Sequence, residues 1–133
     1  LQGVLEAALG LNDGDAIIIK TAGGSISYGE IRSVINAVYK FNLTTVLVVG
    51  HEDCGMSKWG AGEFKDNMLR RGVKKKVLSE YDNIETWLGC FLDARKSVLD
   101  TVNTIRSYDL TPPDLEVRGA YLKLSSGELE LVI

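Results

Sequence analysis

Two uninterrupted apolar runs organise the first half of the chain: residues 16–19, Ala-Ile-Ile-Ile, and residues 45–49, Thr-Val-Leu-Val-Val. Both are rich in β-branched residues and show no alternation, so each predicts a strand covered on both faces. Between them, residues 30–41 carry Ile31, Val34, Ile35, Val38 and Tyr39 on one stripe, the i, i+3, i+4, i+7, i+8 pattern of an amphipathic helix. Asn42 stands where such a helix stops. Strand, loop, helix and strand of these lengths make a βαβ unit, with parallel strands and a right-handed crossover.

The rest of the pattern is mostly helical. Val4–Leu9 reads as a short helix closed by Gly10, and residues 12–15, Asn-Asp-Gly-Asp, read as a turn. Residues 56–71 read as a loop entering a helix that stops at Gly72, and residues 74–81 as a short basic-faced helix. Residues 86–107 read as one long helix with Leu88, Phe91, Leu92, Val98, Leu99, Val102 and Ile105 on its apolar side. Pro112-Pro113 ends any helix. Residues 115–124 and 129–133 then form a hairpin around Ser125-Ser126-Gly127. The predicted class is α/β: a mainly parallel sheet flanked by helices, with a C-terminal hairpin.

A length of 133 residues predicts a single domain spanning residues 1–133. A net charge of −3 lacks the basic excess of a phosphate-binding face, so nucleic acid is not an expected partner. No apolar run reaches the roughly 18–20 residues of a membrane span. Residues 1–11 lack the charged leader and cleavage site of a signal peptide. Two cysteines in a chain of this size suggest a reduced, cytoplasmic protein rather than a disulfide scaffold.

Candidate chemistry sits at the exit of the second strand, in Gly50-His51-Glu52-Asp53-Cys54-Gly55-Met56. It holds the only histidine and one of the two cysteines. Imidazole and thiolate are ligands that zinc prefers, and strand exits are where α/β sheets place their sites. The spacing H-x-x-C lets both side chains converge on one ion; the alternative is a strand-end histidine and a cysteine that only pack. Asp53, between them, could orient a ligand or cap a turn. Gly23 and Gly24 would bring bare backbone N–H groups near a small anion, or form a plain turn. Arg32, on the first turn of the following helix, could line the site or make a structural ion pair. Cys90-Phe-Leu-Asp93-Ala-Arg95 reads as a core cysteine with exposed charges, and Arg70-Arg71 with Lys74-Lys75-Lys76 as a solvated face. Trp59 and Phe64, in a glycine-punctuated loop, would suit a subunit interface.

Taken together, Gly14-Asp15-Ala16, Ala22-Gly23-Gly24, Ile31-Arg32-Ser33, Gly50-His51-x-x-Cys54-Gly55-Met56 and the closing segment from Leu115 through Gly127 resemble the β-class carbonic anhydrases, in order and spacing. The resemblance implies bound zinc with His51 and Cys54 as ligands, reversible hydration of CO2 to bicarbonate, Asp53 and Arg32 near the chemistry, Gly23 and Gly24 at the pocket, and a homodimer or tetramer. The family's first ligand is a cysteine in a Cys-x-Asp-x-Arg motif. That motif and the central strand leading into it have no counterpart in these residues. The expectation is a chain lacking an N-terminal piece, or a degenerate relative, with the core and site opened by the missing strand. Lys20-Thr21 also departs from the family, which has asparagine after the basic residue. Two alternatives stand beside the CO2 reading: a metal-free binding or scaffold domain, and a zinc hydrolase of carbonyl sulfide or carbon disulfide. No P-loop motif is present.

Overall fold

The computed structural model describes residues 3–57 and 62–133. In chain order the elements are α1 (Val4–Leu9), a 3-10 turn (Ala22–Gly24), α2 (Tyr28–Lys40), β1 (Thr45–His51), a 3-10 turn (Gly55–Ser57), α3 (Glu63–Arg70), α4 (Lys75–Leu78), α5 (Ile84–Trp87), α6 (Ala94–Ser107), β2 (Glu116–Lys123) and β3 (Glu128–Leu131). The sheet order is β1-β2-β3, with β1 and β2 parallel from Thr45↔Glu116 to His51↔Leu122 and β2 and β3 antiparallel. The expected α/β class and C-terminal hairpin are both present.

The helix α2 follows its stripe. Ile31, Ala37 and Val38 are buried, and the Glu30 carboxylate closes the first turn by accepting from the Ser27 N–H and hydroxyl. Helix α6 lies across β1 and β2 and supplies Val98, Val102 and Ile105 to a core shared with Ile31, Val48 and Val117. Two glycines let it approach. A Cβ on Gly50 would fall 2.7 Å from Val98 Cγ2, and one on Gly119 would fall 2.6 Å from Val98 Cγ1 and 3.0 Å from Val102 Cγ2. Both distances are inside van der Waals contact, so the helix sits where side chains would otherwise stand.

Three expectations are corrected. The long helix over residues 86–107 is two helices. Gly89 takes φ +84, a left-handed turn suited to glycine, and Asp93 starts α6 afresh by accepting from the Arg95 and Lys96 N–H groups. Cys90 consequently lies in the break between helices, half-buried rather than in the core; burial and then Glu85 push its thiol pKa up.

The third correction concerns residues 16–20. They are extended but pair with no strand among the described residues, and Ile17, Ile18 and Ile19 are 41–45% exposed. The parallel partner of β1 is β2 instead. The physical reason is a gap: a groove of about 590 Å3 separates residues 16–20 from β1, lined by Ile17, Ile19, Val46, Val48 and, from α6, Ile105. Strands pair only at about 4.8 Å, and across this groove neither backbone reaches the other. No helix of the described residues is long and apolar enough to cross a membrane.

Candidate metal centre

The site begins where β1 ends. The ladder with β2 continues one residue past the strand, because the Glu52 N–H donates to the Leu122 carbonyl at 3.0 Å. Asp53 then takes φ +60, a left-handed conformation that aspartate tolerates, and the strand is broken. The turn carries Cys54 inward to 5% exposure. The Ser57 N–H and hydroxyl both donate to the Cys54 carbonyl, at 3.0 and 2.7 Å, and fix the 3-10 turn that follows.

His51 is half-buried, and its Nδ1 lies 2.8 Å from the Glu52 carbonyl oxygen. A carbonyl oxygen can only accept, so this bond requires the proton on Nδ1. The neutral ring then carries its lone pair on Nε2, the state in which an imidazole binds metal. Cys54 and Cys90 are both free thiols.

The glycine loop packs against this turn. Gly23 and Gly24 have φ +74 and +68. A Cβ on Gly23 would fall 2.6 Å from Phe91 Cε1 and 3.2 Å from Met56 Cβ and Cγ; one on Gly24 would fall 3.0 Å from the Val49 carbonyl oxygen. The Thr21 hydroxyl donates to the Ser25 carbonyl at 2.9 Å and closes the loop. Two motifs almost thirty residues apart in sequence thus form one wall, and the groove beside β1 runs up to it, with Thr21, Gly24 and His51 among its lining residues.

The other candidates stand further out. Asp53 is exposed at the turn, and Arg32 is exposed on α2 with no ion pair among the described residues. The basic residues Arg70, Arg71 and 74–76 are exposed, as a solvated face would be. Trp59 lies outside the described residues. Sequence reasoning missed Glu52. Its carboxylate accepts from the Ser125 N–H at 2.5 Å, across 73 positions, and that bond holds its pKa below the ordinary carboxylate range. Nothing in the local sequence signals it.

His51 and Cys54 supply two donors of the kinds zinc takes, with the imidazole already in the metal-binding tautomer. Among the described residues, no three His, Cys, Asp or Glu side chains gather as a metal-holding group. These residues therefore fit part of a zinc site and do not complete one.

The carbonic anhydrase family profile matches residues 4–129. YvdA of Bacillus subtilis, provisionally a carbonic anhydrase, is 34% identical over 140 residues, spanning 100% of this chain and 71% of that protein. A carbon disulfide hydrolase of Acidianus is 26% identical over 142 residues, spanning 94% of this chain and 69% of that protein. The crystal structure of a Streptococcus mutans carbonic anhydrase superposes with a TM-score of 0.81 at 26% identity, over 96% of this chain and 73% of its own. On the matched profile, the YvdA identity and the shared β-class fold, the chain belongs to the carbonic anhydrase family.

Proposed function

We propose that this protein is a zinc-dependent carbonic anhydrase that hydrates CO2 reversibly to bicarbonate. The observation that carries the reading is the exit of β1, where a buried Cys54 and a tautomer-fixed His51 stand beside the Gly23-Gly24 wall. His51 Nε2 and the Cys54 thiolate are two of the zinc ligands, and the third comes from outside the described residues. The chemistry zinc supplies when bound is Lewis acidity that makes water a nucleophile near neutral pH. Gly23 and Gly24 offer unshielded backbone beside the site, suited to a small anion such as bicarbonate. Asp53 orients the ligand turn, and Arg32 adds positive charge on the neighbouring helix. The protein acts in the cytoplasm as a homo-oligomer; Trp87 at 66% and Leu92 at 98% exposure are apolar surface that a second copy would cover.

The test is zinc per subunit by elemental analysis, with His51→Ala as control, followed by stopped-flow CO2 hydration. One zinc per wild-type subunit, lost in the variant together with hydration, is the expected result. Zinc absent from both proteins refutes the reading and favours the metal-free relative.

A second reading has its own support in the carbon disulfide hydrolase relative. CS2 is linear, like CO2, with an electrophilic central carbon, so one site chemistry serves both. Sulfide release from CS2 without CO2 hydration by the zinc-loaded protein would decide for it.

A further inference from the structure

Glu52 uses every hydrogen-bonding group it has to fix the turn that presents His51. Its N–H donates to the Leu122 carbonyl on β2 at 3.0 Å. Its carboxylate Oε1 accepts from the Ser125 N–H, in the turn between β2 and β3, at 2.5 Å. Its own carbonyl accepts from His51 Nδ1 at 2.8 Å. The first two bonds anchor the residue to the hairpin from both its backbone and its side chain, and the third transmits that anchoring to the imidazole. The next residue, Asp53, is already in the left-handed region at φ +60, so the peptide carrying the Glu52 carbonyl sits at a bend. The side-chain bond to Ser125 is thus a second tie, beside the backbone bond to Leu122, between this residue and the hairpin.

We propose that Glu52 is a positioning residue: through its bond to Ser125 it holds its own carbonyl against His51 Nδ1 and so presents Nε2 as the only ring nitrogen able to bind metal. The inference rests on the zinc reading for its functional consequence, but the tautomer it fixes exists in the metal-free chain. Outer partners of a ligating histidine set ring orientation and ligand strength. Here the partner is a backbone carbonyl, and the lever that aims it is the side chain of the same residue.

The chain has a single histidine, so its imidazole nitrogens can be read without ambiguity. Long-range proton–nitrogen NMR on the metal-free, reduced full chain, taken to the pH above which the imidazole spectrum no longer changes, reports the tautomer. Wild type is expected to show Nδ1–H. Glu52→Gln keeps an oxygen that can accept from Ser125 and should stay close to wild type. Glu52→Ala should shift toward a mixture with Nε2–H and, in competition with a chromophoric chelator, weaken zinc binding about tenfold or more. A folded Glu52→Ala with the wild-type tautomer and unchanged affinity overturns the proposal, as does an Nε2–H wild type. A wild-type chain that shows Nδ1–H and a shift in Glu52→Ala but binds no zinc upholds the tether and refutes the zinc reading.

Discussion

Replacing Gly119 by alanine tests the close seat of α6 directly. The added methyl would meet Val98 Cγ1 at 2.6 Å, Val102 Cγ2 at 3.0 Å and Ile133 Cγ2 at 3.2 Å. Val98 is 3% exposed and Val102 0%, so neither can swing into solvent to relieve it. Overpacking of this kind costs about 1–3 kcal/mol. Against it stands the reduced freedom of the unfolded chain when glycine becomes alanine, worth about 0.4–1 kcal/mol. The net expectation is a loss of about 1–2 kcal/mol. With a urea slope of about 2 kcal/mol per M, the midpoint falls by about 0.5–1 M. Val98→Ala alone removes two buried methyls and should cost about 2 kcal/mol, most of it transfer free energy and the rest cavity. The double variant is decisive. Removing the Val98 methyls makes room for the new one, so the combined cost should fall short of the sum by about 1 kcal/mol or more. Urea unfolding followed by both circular dichroism and tryptophan fluorescence measures all four proteins. A Gly119→Ala protein as stable as wild type, or costs that simply add, would refute the steric account.

Two further predictions concern the helices around the site. Asp93→Ala removes the acceptor for the Arg95 and Lys96 N–H groups at the start of α6, and thermal unfolding should show a loss of about 0.5–2 kcal/mol, with Asp93→Asn or Asp93→Ser recovering most of it. The second is a pH effect. The Ser27 hydroxyl, and then the Ser27 N–H, hold the Glu30 carboxyl below its ordinary pKa, so folding favours the ionised form. That contribution is complete above about pH 5 and is lost as the pH falls through about 4 and below. Glu30→Gln should therefore show a flatter loss of stability than wild type across that window, and an unchanged slope would remove Glu30 from the account.

The readable parts of the chain were those whose neighbours are close in sequence or set by pattern. The α2 stripe, the apolar run of β1 and the Ser-Ser-Gly turn each carry their own signal, and each forms where the pattern places it. The apolar run at residues 16–20 was legible as strand-forming, but a strand also needs a partner, and a groove stands where one would lie. The break at Gly89 was hidden because residues 86–107 keep a helical apolar side through it; what ends α5 is a left-handed glycine packed near Ser25, and what starts α6 is a cap. Of the candidate site, His51, Cys54, Gly23 and Gly24 stood out because their residue types are informative alone, and the structure brings the two motifs that carry them together. Glu52 did not, because an acidic residue in a turn means nothing until the hairpin 73 positions later folds against it.

The open side of β1 has a consequence for how this chain behaves in a test tube. A seven-residue strand end of the sheet, with its amide and carbonyl row facing an apolar trench and three isoleucines half-exposed across it, is an adhesive surface. Proteins commonly blunt such edges with lysines, prolines or bulges, and residues 45–49 carry none of these. Colloidal stability is therefore expected to limit the protein before thermal stability does. Concentrated samples should turn cloudy on storage while dilute ones stay clear, and a lysine placed at the exposed Leu47 should slow the clouding.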